Sequence, residues 1–175
     1  MEKLNIAALD PFFKDEVAQE PGCQHLHRCF ACGVCTATCP VSAVTPEFSP
    51  SRILRQILYG WRRELLSSSA LWHCLGCAQC SFQCPQDVRF LDIIRGLRNL
   101  AIREGFVPAA LAARTRQAEM ILLQWRRHLL AKILANPHDT TPPEKLLLEI
   151  VQKLPADRQP QAEDELSHDP PPALE

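Results

Sequence analysis

Two copies of one cysteine run constrain this chain more than any other feature. The first is Cys29-Phe-Ala-Cys32-Gly-Val-Cys35-Thr-Ala-Thr-Cys39-Pro40 and the second is Cys74-Leu-Gly-Cys77-Ala-Gln-Cys80-Ser-Phe-Gln-Cys84-Pro85. Each reads C-x2-C-x2-C-x3-C-P. Beyond the cysteines and the proline the two share almost no residues, so the repeat belongs to metal-ligand geometry and not to a packed structural repeat. A cubane takes three thiolates from one tight loop and a fourth from elsewhere. Two-residue gaps let the backbone wrap a cluster with its amides turned toward sulfur. In runs of this spacing the fourth cysteine serves the other cluster. On that pattern two [4Fe–4S] clusters are expected: one on Cys29, Cys32, Cys35 and Cys84, the other on Cys74, Cys77, Cys80 and Cys39. Zinc is the competing metal, but zinc sites use separated C-x2-C pairs and leave a third cysteine of each run without a task.

The setting of these cysteines matters to that reading. All nine lie in a chain whose first twenty residues, MEKLNIAALDPFFKDEVAQE, hold acids and no apolar stretch of the export type. A reducing, cytoplasmic location is therefore expected, where metal sites are favoured over a disulfide framework. No apolar run approaches the ~18 residues of a membrane-spanning helix. A formal net charge of −1 argues against nucleic-acid binding, which calls for a basic excess.

Helical patterning fills the rest of the chain. Ser49 is placed to cap, and Pro50 to start, a helix running from 51 to 67 with Ile53, Leu54, Ile57, Leu58, Trp61 and Leu65 on one side. A second, over 88–104, repeats the pattern with Leu91, Ile94, Leu97 and Ala101, and Gly105 offers a left-handed stop. The longest is expected over 108–135, with Leu122, Trp125, Leu129 and Ile133 in register. A shorter helix follows Pro143. No period-two strand is evident, so the fold class is all-α, with two cysteine loops held between helices. The expected divisions are an N-terminal segment 1–22, a dicluster domain 23–106, a helical extension 107–154 and a Pro- and acid-rich tail 155–175. That tail has too little apolar surface to offset its ordering entropy and is expected to be flexible.

Several residues near the runs invite a role. Cys23 stands outside both and reads as a free, partly buried thiol. His25, His27 and His73 are not needed as ligands, and are read as packing or solvated, with an electrostatic influence on cluster potential as the sharper alternative. Thr36, Thr38 and Ser81 are candidates to hydrogen-bond sulfur. Arg52, Arg55, Arg62 and Arg63 fit either a solvated face or a dock for an acidic partner. Trp125-Arg126-Arg127-His128 reads as a core aromatic flanked by solvated charge in preference to a membrane-surface motif.

The stretch from Cys29 to about Ala112 resembles the C subunit of heterodisulfide reductase. The residues carrying the likeness are Cys32-Gly33-Val34-Cys35-Thr36-Ala37-Thr38-Cys39-Pro40 and Leu71-Trp72-His73-Cys74, then Asp92-Ile93-Ile94-Arg95-Gly96-Leu97-Arg98-Asn99-Leu100-Ala101 and Glu104-Gly105-Phe106-Val107-Pro108. The resemblance implies an alpha-helical ferredoxin arrangement with the eight motif cysteines as ligands. It implies an electron-transfer subunit set between a flavin-containing A-type subunit and a cysteine-rich B-type catalytic subunit. No substrate site is expected in this chain itself. Alternatives are the iron–sulfur subunit of an acyl-CoA or quinone-linked dehydrogenase complex, a free-standing ferredoxin, and a zinc-dependent scaffold.

Overall fold

The computed structural model describes residues 9–152, and the expected flexible tail, 155–175, lies outside them. Within this range the chain forms helices and turns, with no strand. It divides into two compact units at Ala109/Ala110.

The first unit begins with α1 (Phe13–Gln19), whose Phe13 and Val17 are fully buried. The chain then passes a 3₁₀ turn, Leu26–Arg28, and the first cysteine loop. Two short helices follow, α2 (Val34–Ala37) and α3 (Pro40–Val44). Next is α4 (Pro50–Leu58). Ser49 Oγ accepts from the Arg52 N–H at 3.4 Å and Pro50 opens the first turn, an arrangement whose cap contributes about 1 kcal/mol. Ile53, Leu54 and Ile57 bury its inner face.

The single helix expected over 51–67 is instead two. α4 ends at Leu58 and α5 (Arg62–Leu66) starts after a break at Tyr59-Gly60-Trp61. The cause is a close approach. Gly60 has φ 79°, its carbonyl accepts from the Asp10 N–H at 2.8 Å, and a Cβ there would collide with the Asp10 carbonyl. The bend also redirects Arg62. Its guanidinium meets Asp10 at 3.0 Å, Glu16 at 2.5 Å and Glu104 at 2.5 Å and lies 5.3 Å from the centre of the Phe13 ring. Those three carboxylates hold its proton still more firmly than usual. Arg62 therefore does not belong to a docking face with Arg52, Arg55 and Arg63; it clamps α1, α5 and the end of the next long helix together.

A 3₁₀ turn (Ser69–Trp72) leads into the second cysteine loop and α6 (Gln79–Phe82). Then α7 (Phe90–Arg103) runs through the core, burying Phe90, Ile93, Ile94, Leu97, Leu100 and Ala101. It stops before Gly105, which takes the left-handed conformation at φ 77°. Cys23 is completely buried against this helix. Its Sγ donates to the Asp92 carbonyl at 3.4 Å, and a Cβ on Gly96 would lie 2.9 Å from that sulfur.

The second unit is a helical hairpin of α8 (Ala110–Ala135) and α9 (Pro143–Gln152). Ile150 is buried, and Trp125, Leu129 and Ile133 on α8 are half-buried. Leu122, expected in the same stripe, is exposed. Lys132 pairs with Glu149 at 2.6 Å. Among the described residues no helix is long and apolar enough to cross a membrane.

Candidate iron–sulfur centre

Both cysteine loops have the same backbone despite their different residues. In the first, Ala31 (φ 58°) and Gly33 (φ 81°) flank Cys32; in the second, Gly76 (φ 75°) and Ala78 (φ 63°) flank Cys77. A left-handed residue on each side of the middle cysteine folds the run into a cup. The third cysteine is then the second residue of a four-residue helix, Cys35 in α2 and Cys80 in α6. Such a backbone costs alanine roughly 1–2 kcal/mol and glycine almost nothing. The two loops place their alanine and glycine in opposite order.

Two open cavities lie against these loops. One, of about 420 Å³, is lined by Cys29, Cys32, Cys35 and Cys84, with Leu54, Val88 and Phe90 as its apolar wall. The other, of about 310 Å³, is lined by Cys39, Cys74, Cys77 and Cys80, with Val41, Phe48 and Leu91. Cys80 and Phe90 line both, so they stand between the two spaces. Among the described residues, no three Cys, His, Asp or Glu side chains are grouped as a single metal ion would need. An all-thiol donor set spread around a cavity is chemically suited to an inorganic cluster.

The surroundings supply hydrogen bonds and apolar cover. The Val88 N–H points at Cys84 Sγ at 3.5 Å. Burial pushes the Cys80 thiol up to about 11, an effect reinforced by Cys74 and opposed by the Ser81 hydroxyl. Cys35 is raised by burial and by Cys29, while the Thr36 hydroxyl and amide act the other way. Cys74 is raised by burial, against the Gly76 amide and the Arg98 charge. Cluster binding must therefore displace protons from these thiols. Thr36 and Ser81 are within reach of sulfur; Thr38 is not engaged there and donates to the Val34 carbonyl at 3.0 Å. Thr36 Oγ1 also donates to Ser51 Oγ and accepts from its N–H, both at 2.9 Å, fixing the first loop to α4.

None of the three histidines lines either of these two cavities. His25 Nδ1 contacts the Asp87 carbonyl at 2.9 Å and its carboxylate at 3.2 Å, His27 faces Asp15 at 3.6 Å, and His73 is exposed. Cys23 lies apart as well: burial, Glu20 and Asp92 push its thiol up to about 11, so it is an inert packing group. A residue that sequence patterns do not single out is Arg98. From α7 it donates to the carbonyls of Leu71 at 2.8 Å and Cys74 at 2.9 Å, and lies over the Trp72 ring. It anchors the second loop at its first cysteine, beside the buried and unpartnered Trp72 indole N–H. Its only trace in the sequence is its place in the Asp92–Ala101 stretch.

Residues 25–88 match the 4Fe-4S dicluster domain family. That match spans 64 of the chain's 175 residues and includes all eight cysteines of the two runs. The chain accordingly carries two [4Fe–4S] clusters in an all-α, ferredoxin-like setting. Over a longer stretch the dicluster chain is homologous to proteins named as C subunits of heterodisulfide reductases. It is 34% identical over 102 residues to the C subunit of the H(2):CoB-CoM heterodisulfide,ferredoxin reductase of Methanothermobacter thermautotrophicus, covering 58% of this chain and 54% of that protein. It is 39% identical over 80 residues to the C subunit of the ferredoxin:CoB-CoM heterodisulfide reductase of Methanosarcina acetivorans, covering 46% and 32%. A protein of Archaeoglobus profundus, named for its likeness to the C subunit of heterodisulfide reductase, is 30% identical over 89 residues, covering 51% and 47%. The dicluster chain thus spans about half, or less, of the length of the relatives it matches.

Proposed function

We propose that this chain is the iron–sulfur subunit of a heterodisulfide reductase-like complex and moves electrons between a flavin-containing A-type subunit and a cysteine-rich B-type catalytic subunit. One cluster is assigned to Cys29, Cys32, Cys35 and Cys84, the other to Cys74, Cys77, Cys80 and Cys39. The observation carrying the assignment is that each cavity is lined by thiols of both runs. When bound, the clusters supply outer-sphere, one-electron chemistry.

The chain's own residues make two electrical edges and a shielded middle. Cys32 and Cys77 are the exposed members of their runs. Each is bordered by an exposed apolar side chain, Phe30 in the first loop and Leu75 in the second, giving both edges a surface that a partner can dewet. Between them, Cys80 and Phe90 are buried and exclude water from the intervening space. The amides and hydroxyls directed at sulfur set potential. A cytoplasmic location follows from this role.

Anaerobic purification from the native host tests the proposal. Flavin-bearing and cysteine-rich subunits are expected to accompany the chain, with about eight iron atoms in each copy of it. A brown protein that purifies alone would move the assignment to a diffusible ferredoxin. Zinc in place of iron would end it.

A further inference from the structure

We propose that the uncovered side of α8 seats a helix of a partner subunit, one presenting an apolar stripe with a carboxylate opposite Arg127. This rests on the reading of the chain as part of a complex. Arg116, Met120, Leu123, Arg127, Leu130 and Leu134 follow one another in alternating steps of four and three along α8. That 3.5-residue repeat keeps a straight seam facing a second helix. The seam lies more than a third of a turn around α8 from Trp125, Leu129 and Ile133, the half-buried stripe of the hairpin.

The seam is bare. Met120 is 54%, Leu123 58% and Leu134 74% exposed. Two apolar stripes on different sides explain why α8 has no single amphipathic face, and only one of them is covered. A membrane surface would require one broad apolar side with the charges opposite, and here Arg116 and Arg127 lie inside the seam.

Charge selects the occupant. Between Ala110 and Ala135 there are five Arg or Lys side chains and one acid, Glu119, which is off the seam. Of the five, Lys132 is paired, with Glu149. A second copy of α8 is a poor fit: parallel pairing sets Arg127 against Arg127, and antiparallel pairing sets it against a leucine or Arg116. Either way a guanidinium is buried without a carboxylate, which is costly. A partner helix with Asp or Glu at that level resolves the charge and fixes register at once.

The test uses the native complex with a photo-cross-linking residue at Leu123 or Leu130. Both cross-links are expected on one helical segment of a single co-purifying subunit, with an Asp or Glu between the two sites. Arg127→Glu should reduce retention of this chain in the complex on the order of 10-fold or more, and changing that partner carboxylate to Lys should restore it. Arg126→Glu, off the seam, should leave retention unchanged, and iron per copy should be unaltered in all variants. Cross-links to a second copy or to lipid, or full retention of Arg127→Glu, would overturn the inference while leaving the functional reading intact. Purification of the chain without any partner would overturn both.

Discussion

Arg98 donates to the backbone carbonyl of Cys74 across 2.9 Å, although the two residues belong to different elements, α7 and the second cysteine loop. The same guanidinium holds the Leu71 carbonyl and covers Trp72. Arg98→Ala removes two charge-assisted hydrogen bonds from a part-buried loop. We expect a loss of about 2–3 kcal/mol in stability. Visible bleaching in the presence of an iron chelator should be faster than in the parent and should begin with one cluster. Arg98→Lys, which lacks the two separately placed N–H groups of the guanidinium, should resemble Arg98→Ala.

The opposite order of alanine and glycine in the two loops yields predictions of opposite sign. Ala78→Gly relieves a left-handed alanine and should stabilise the holoprotein by about 1 kcal/mol. Gly33→Ala should destabilise it by a similar amount. No protein atom lies within 4 Å of the added Cβ at Gly33, so no side chain or backbone segment has to move to admit it. Thermal midpoints followed by visible absorbance would check both.

Thiol removal separates crossed from uncrossed ligation. Cys84→Ser should reduce iron by about half and alter the spectroscopic signature of the cluster assigned to the first run. Cys39→Ser should alter the other. Electron paramagnetic resonance of the reduced proteins distinguishes the two, and an interchange of the outcomes would mean that each run keeps its own fourth cysteine.

Cys23 gives a pH signature independent of iron. Its thiol is raised from 9.0 to about 11 in the folded chain, so between these values the folded state holds a proton that the unfolded state has released. Stability should therefore fall as pH rises from about 9 toward 11, by an amount of order 2 kcal/mol. Cys23→Ala should flatten that part of the profile, read from denaturant midpoints at each pH.

Arg62 is surrounded by carboxylates from residues 10, 16 and 104. Replacing it with methionine leaves these acids facing one another without a counter-charge, and we expect a loss of about 2 kcal/mol at low salt. Part of the loss should be recovered on raising salt, because screening weakens the repulsion among the acids that remain.

These residues also show what a sequence can and cannot reveal. The periodicity of α7 is legible because Ile94, Leu97 and Ala101 all pack into one core, and the start of α4 because a Ser-Pro cap is a local device. Grouping of thiols into cavities follows the spacing of the runs. The break at Gly60 is hidden because its cause, the Asp10 backbone, is fifty residues away in sequence. Arg62 looks like one of several surface arginines because its three partners come from distant segments. The matching backbones of the cysteine loops are masked by the exchange of Gly for Ala. On α8 the two stripes nearly cancel, so periodicity places Leu122 on the packed side although the hairpin leaves it open.

The mixed lining of the two cavities has a consequence for biosynthesis. Under the proposed crossed ligation, neither cup is closed by its own run alone: the first waits for Cys84, and the second needs Cys39 from the earlier run. During translation the first three thiols emerge well before the fourth. An incomplete nascent chain therefore offers an assembly factor only partial cups. Loading is tied to near-completion of the domain, and a chain truncated between the runs should be unable to retain either metal group.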